Sequence, residues 1–355
     1  MDAADVLRLR LVSQGLARAA FRTPEDVVSW FGAVQAQDYL GALWAIGQRL
    51  PNATEAQIEA AEARRAIVRL WPMRGTLHFV AADDVRWITQ LLAPRVLARN
   101  AARLKREVEV DSRVVARCRE VVRRALEGGR RLDRKDLYAV LEARRIRTGG
   151  SRGLHILGWL AMEGTLCLAG RSGKQHTFAL LDEWIPVSTK LDRDAGLAEL
   201  ARRYFSSHGP ATRRDFMWWA GITAKDAQAG IDATHASLSH ALVDGDEYWW
   251  REAGARQSVV RPPLVRLLPA FDEYTVAYHD RSVIADARLP KMSLLNPAVM
   301  VNGRIIGNWT RRLERNRAVV AANLREKMSR AESLELKAAV SSYGRFIGLE
   351  AVLDP

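Results

Sequence analysis

Apolar residues recur at helical spacing from the start of the chain, with polar residues between them, so residues 3–16 read as a first helix. A second is predicted over 23–37. Thr23 is a good N-cap, Pro24 suits the first helical position, and Glu25 and Asp26 are acids where the helix dipole favours them. Val27, Trp30, Phe31 and Val34 then mark one apolar stripe. If the helix runs to residue 37, Gln35 and Gln37 flank the two edges of that stripe. An unpaired buried amide costs ~1–3 kcal/mol, so both need partners. Either they satisfy neighbouring backbone in a core, or they aim into a cleft and hold a water or a ligand.

Helices over 39–50 and 54–65 follow, the second capped by Thr54. The period then changes. IVRLWPMRGTLHFV (67–80) reads as two short strands around a turn at Met73 to Gly75, before a helix over 83–98. Helices followed by a ribbon are the winged-helix order. Residues 113–184 repeat it: a helix over 114–127, one capped by Asp133, one capped by Ser151, then LCLAG and TFALL joined by the turn RSGK. A third round runs over 192–252, with Thr223 capping its last helix and Gly245 turning its hairpin. After Arg261-Pro262-Pro263 the runs LVRLLP, YTVAYH, AVMV, RIIGNW and AVVAAN read as short strands. Asn302-Gly303 is a hairpin turn. A loop carries Arg281, Arg288, Pro290 and Lys291, and Ser329 caps a final helix. The predicted fold class is α+β: three tandem winged-helix units (1–110, 111–188, 189–260), then a small β-barrel-like domain with a C-terminal helix (261–355).

Charge adds a partner to this picture. Among 355 residues, 54 Lys and Arg against 41 Asp and Glu leave a net charge of +13. A basic excess of this size fits a polyanion such as nucleic acid. A host that prefers Arg to Lys would explain the choice of base but not the excess. No apolar run approaches the ~18 residues of a membrane span. The N-terminus lacks the basic-then-apolar layout of a signal peptide. Cys118 and Cys167 are too few for a disulfide framework and have no metal-ligand spacing. A cytoplasmic protein without metal or cofactor is expected.

Catalytic signatures are absent: there is no P-loop, dinucleotide glycine fingerprint, nucleophile elbow or zinc-protease helix. His78, in a strand, reads as a satisfied core histidine, and His208 as a helix-end residue. Asp272 and Glu273 adjoin in what reads as a strand, where neighbours face opposite sides, so one of them faces inward alone. Arg171, Lys174 and His176 share a wing tip that suits either phosphate contact or a solvated loop. Arg144, Arg145 and Arg147 read as a solvated face. Arg311 and Arg312, just after Trp309, mix base with aromatic and suit DNA contact.

Several long segments together resemble one family. AVQAQDYLGALWAI (33–46), MRGTLHFV (73–80), GKQHTFALLDEW (173–184), SHGPATRRDFMWWAG (207–221), LLPAFDEYTVAYHDR (267–281) and VNGRIIGNW (301–309) are similar to the tandem winged-helix DNA glycosylases, the AlkZ and YcaQ group. The resemblance covers nearly the whole length. It implies a C-shape of winged-helix units and β-barrel around double-stranded DNA carrying alkylated purines, acting as a monomer, in the cytoplasm or on the nucleoid. It places the family's glutamine, any residue, glutamine motif on Gln35, Ala36 and Gln37 as catalytic residues. Arg171, Lys174, His176, Arg281, Arg311 and Arg312 are the expected DNA contacts. The YcaQ branch carries aspartate at the second motif position; this chain has Gln37, as in the AlkZ branch. The other reading is a non-enzymatic winged-helix DNA-binding protein, either a transcription regulator or a damage binder.

Overall fold

The computed structural model describes residues 1–251, 262–286 and 295–354. Arg261, Arg288, Pro290 and Lys291 lie outside the described residues. Asp2 caps the first helix, α1 (Ala3–Ser13), and Thr23 caps the second, α2 (Pro24–Phe31). Each cap accepts from the backbone N–H three residues on, and a carboxylate there reaches back to the cap's own N–H. Two orphan donors of the first turn are thereby satisfied.

α2 ends earlier than its apolar stripe suggests. Gly32 has φ of 77°, a conformation glycine adopts at little cost, and it turns the chain out of the helix. A two-residue strand, β1 (Val34–Gln35), follows, then a bend into α3 (Tyr39–Gly47). The expected helix to residue 37 is therefore corrected: Gln35 and Gln37 lie on non-helical chain, not on the edges of a helical stripe.

The first round continues with α4 (Glu55–Ala63), a hairpin of β2 (Ile67–Met73) and β3 (Thr76–Ala81), and α5 (Val85–Val108). α5 runs on past the expected end near 98, because LARNAARLKREV is rich in strong helix formers and Pro94 sits within the helix without ending it. The second round is α6 (Ser112–Leu126), β4 (Leu132–Asp133), α7 (Arg134–Ala143), α8 (Arg152–Met162), β5 (Leu166–Ser172) and β6 (Gln175–Leu180), closed by α9 (Leu181–Trp184). The third is α10 (Arg193–Ser207), β7 (Ala211–Thr212), α11 (Arg213–Ala220), α12 (Ala224–Thr234), β8 (Ser239–Val243) and β9 (Asp246–Trp250). In the second and third rounds the short strand after the first helix joins the hairpin, β4 on β6 and β7 on β9. That is the winged-helix arrangement.

The C-terminal region is β10 (Val265–Leu268), α13 (Glu273–Val276), β11 (Ala298–Val301), β12 (Arg304–Leu313), β13 (Arg317–Leu324), α14 (Arg330–Ile347) and β14 (Glu350–Leu353). Its curled half-barrel sheet keeps the order β10-β11-β12-β13-β14, antiparallel except for the last pair. Two sequence expectations fail here. YTVAYH is not a strand: Asp272 accepts the N–H of Tyr274 and starts the helical turn α13. The closing strand β14 has no counterpart among the predicted elements.

The chain divides into two units, one of Met1–Ile58, Leu197–Trp219 and Thr223–Pro355, the other of Glu59–Gly196 and Ala220–Ile222. In the second unit Val115, Cys118, Val122 and Leu126 of α6 meet Leu137 and Leu141 of α7, Ile156, Leu157 and Leu160 of α8, and Leu166, Leu168 and Phe178 of the hairpin. Fully burying such an aliphatic side chain stabilises by about 1.5–3 kcal/mol. Cys118 and Cys167 are buried free thiols, and burial pushes both thiol pKa values up. In the first unit Leu11 and Leu16 pack on Leu264 and on Leu268, Met300 and Ile305 of the sheet. Trp44 of α3 donates to the Leu267 carbonyl at 2.7 Å and lies 5.3 Å from the Tyr343 ring of α14, so α3 is clamped between sheet and helix. No helix among the described residues is long and apolar enough to cross a membrane.

Candidate active site

The Gln35–Gln37 segment is short, and the first unit grips it from several sides. Gln35 is buried, whereas Gln37 is exposed. The backbone N–H of Gln35 donates to Oε1 of Glu273 at 2.8 Å. On the segment's N-terminal side Phe31 meets the His208 ring edge-on at 5.2 Å. A Cβ built on Gly32 would lie 3.7 Å from the Trp219 ring, so the backbone there runs along that indole. Arg203 of α10 donates to the Ser29 carbonyl at 3.0 Å and fixes the end of α2.

Glu273 is 1% exposed and is the hub of a polar cluster. Nε1 of Trp219 donates to its Oε2 at 2.9 Å, and Nε2 of His208 lies 3.3 Å from the same oxygen. A carboxylate only accepts, so Nε2 of His208 carries the proton and Nδ1 is left as an acceptor; the Ser207 hydroxyl lies within reach of both Nδ1, at 2.8 Å, and the Arg203 carbonyl, at 2.7 Å. Burial lowers the His208 pKa against the opposing pull of Glu273, which keeps the ring neutral at pH 7. The neighbouring Asp272 is 1% exposed and accepts two bonds from Arg49. Arg49 also donates to the Gln14 and Ala45 carbonyls, and its guanidinium lies 5.0 Å from the Phe31 ring centre. Both carboxylates therefore face inward. The expectation that only one does is corrected, and the cause is the helical turn: Asp272 caps it and Glu273 opens it, so the alternation of a strand does not apply.

The sequence points to His208 only as a helix end, and passes over Trp219, Arg49 and Gln14 altogether. Their contacts reach far along the chain: 35 positions from Arg49 to Gln14, 223 from Arg49 to Asp272 and 264 from Gln14 to Tyr278. The signal that could have found them is the clustering of His, Asp and Glu inside SHGP and PAFDEY, segments otherwise apolar enough for a core. His78 is as expected: it is fully buried, with Nδ1 2.9 Å from the Thr76 carbonyl and Arg74 donating to Nε2.

The predicted DNA contacts fall into separate groups. Arg171, Lys174 and His176 do meet at one hairpin tip, where Arg171 and His176 are cross-strand partners. Arg171 forms an ion pair with Glu59. His176 accepts from Arg69 at 3.0 Å, and burial together with Arg69 and Arg171 pushes its pKa down to about 4. That imidazole is neutral at pH 7, which leaves exposed Lys174 as the tip's plain cation. Arg281 lies 6.0 Å from the ring of Trp218, an exposed indole that donates to the Val276 carbonyl. Arg311 and Arg312 sit at successive positions of β12 and so face opposite sides. Arg311 lies over Tyr343 at 5.5 Å, and Arg312 is 72% exposed beside Glu314.

A family model described as DNA glycosylase AlkZ-like matches residues 28–346. The chain is 24% identical over 332 residues to an interstrand DNA cross-link repair glycosylase of Streptomyces sahachiroi, covering 86% of each chain. The solved structure of Streptomyces sahachiroi DNA glycosylase AlkZ superposes with a TM-score of 0.78 at 21% identity, covering the whole of both chains. That likeness establishes the mixed α+β fold with its C-terminal curled sheet.

Proposed function

The chain belongs to the AlkZ-like family of DNA glycosylases, and on that premise we propose that it hydrolyses the N-glycosidic bond of purines alkylated at N7 or N3 in duplex DNA, bulky and crosslinked adducts included. A purine alkylated at these nitrogens is cationic, so its glycosidic bond is already weak. The base departs with the bonding electron pair and becomes neutral, and no enzyme acid has to protonate it. What remains is to hold a water beneath the anomeric carbon and to tolerate oxocarbenium character. Water adds to that carbon and gives up a proton to solvent.

Two neutral amides suit this task. An amide oxygen accepts from the water and faces the developing positive charge, but it is too weak a base to activate water against an unmodified nucleotide. Such a site is selective because it is chemically mild. One observation carries the reading: Gln35 is fixed through its backbone to buried Glu273, while Gln37, two residues on, is exposed. A rigid anchor beside an accessible amide is what positioning a water requires. The named activity of the Streptomyces sahachiroi relative extends the proposal to crosslinks.

The test is a cleavage assay on a panel of N7- and N3-alkylated duplexes, including a crosslinked one. Release of the modified base, leaving an abasic site, is expected. Tight binding without release from any member would instead support a damage binder.

A further inference from the structure

We propose that Glu273 is the positioning residue of the Gln35–Gln37 segment, acting through the backbone N–H of Gln35; this rests on the functional reading above. Three N–H donors converge on one carboxylate: Gln35 N at 2.8 Å, Trp219 Nε1 at 2.9 Å and His208 Nε2 at 3.3 Å. The cluster is out of water, with Glu273 1% exposed and His208 and Trp219 fully buried. Burying a carboxylate is costly unless it is well hydrogen-bonded. A backbone carbonyl or a neutral side chain would satisfy the Gln35 N–H without that cost. The carboxylate offers stiffness instead, since a charge-assisted hydrogen bond is roughly twice as strong as a neutral one.

The same side chains grip the segment twice. Trp219 donates to Glu273 and lines the backbone at Gly32; His208 contacts Glu273 and packs on Phe31. The chain from Phe31 to Gln35 is thus pinned at both ends to one cluster, and Gln37 extends from its far end. A displacement of about 1 Å in a positioning group can cost on the order of a hundredfold in rate. Glu273 touches no reacting atom in this account. It sets where Gln37 stands.

Glu273→Gln keeps the side chain's shape and turns one acceptor into a donor, which must then face one of the three N–H groups. The test uses full-length protein labelled with ¹⁵N-glutamine, the Gln35 amide being identified by its loss in Gln35→Ala. Three quantities are read well below the melting temperature: the Gln35 amide proton shift, the affinity for undamaged duplex, and the single-turnover rate of N7-alkylguanine release at saturating enzyme. For Glu273→Gln the expected result is an upfield shift, at least about a tenfold loss of rate, and affinity within about twofold of the parent. A merely structural role would leave the rate of the folded protein unchanged. Parent-level rate despite a moved amide would overturn the proposal, as would a lost rate with an unmoved amide. Should Glu273→Gln not melt cooperatively, Trp219→Phe removes one donor and keeps the carboxylate. It is expected to move the amide and to cost several-fold in rate; an unchanged rate would again overturn the proposal. If the parent releases no base from any alkylated duplex, the glycosylase reading itself fails and takes this inference with it.

Discussion

Asp272 closes a two-bond ion pair with Arg49, at 2.8 and 2.9 Å, with the two side chains 0% and 2% exposed. The guanidinium is held besides by the Gln14 side chain and two carbonyls, so each of its nitrogens has a partner. A buried ion pair adds little net stability over an apolar replacement, but breaking it on one side strands a charge. Asp272→Ala should therefore destabilise by about 3–5 kcal/mol, read from denaturant midpoints at constant m. Arg49→Met together with Asp272→Leu should recover much of the loss. A double variant as unstable as the single one would show that the other contacts of Arg49, not the ion pair, hold this region.

Acid should weaken the fold before the carboxylates titrate. Burial lowers the pKa of His208, His155 and His176, the last to about 4 with the help of Arg69 and Arg171. In the folded state these rings take up a proton only at lower pH than in the unfolded chain, where they do so near 6.5. Their stabilisation is thus complete above pH 6.5 and is lost as the pH falls below it toward the folded values. Glu199, where burial is outweighed by Arg202 and Arg203, and Asp182, beside Arg86 and Arg123, have lowered pKa values and add their own loss only below about pH 4.5. The melting temperature should fall between pH 6.5 and 5, and His176→Gln should flatten that fall. A level profile over this range would contradict the neutral histidines.

Local signals made much of this fold legible. Thr23, Asp133, Thr223 and Ser329 each accept the N–H that a cap should, and Asn302-Gly303 turns its hairpin with φ of 48° and 91°. These depend on a few adjacent residues, which is why the order of helices and ribbons could be read. The end of α2 could not, because Gly32 sits inside a continuing apolar stripe and a lone glycine does not announce its φ. YTVAYH alternates like a strand, and only the cap at Asp272 makes it a helical turn. The Gln35 and Gln37 pair was visible as residue types. Its anchor was not, since Glu273 lies 238 positions away from Gln35.

Exposure now ranks the proposed DNA contacts. Lys174 is exposed at its hairpin turn and Arg312 is 72% exposed, whereas Arg171 is paired with Glu59 and His176 is neutral. If Lys174 and Arg312 contact phosphates, each change to Ala should lower the log–log salt slope of duplex binding by about 0.9. His176→Ala should leave the slope alone. Stability should shift by less than about 0.5 kcal/mol in the two surface variants. Equal slopes for parent and both variants would place the phosphate path on other residues.

Gln37 is the position at which chemistry and packing can be separated most cleanly. It is exposed, so Gln37→Ala removes no core and should leave the melting temperature and duplex affinity nearly unchanged. If its amide orients the attacking water, single-turnover release of an N7-alkylguanine should fall by at least about tenfold, or ~1.4 kcal/mol of transition-state stabilisation. Gln37→Glu sharpens the test, because it keeps the size and adds a charge. A carboxylate still accepts from the water and favours oxocarbenium character, so activity should be partly kept. Gln35→Ala is a different experiment. Its backbone N–H survives to bind Glu273, so any rate loss reports the side chain alone. A Gln37→Ala enzyme as fast as the parent would remove the water-positioning role. A large drop in melting temperature would make the amide a structural one, against its exposure.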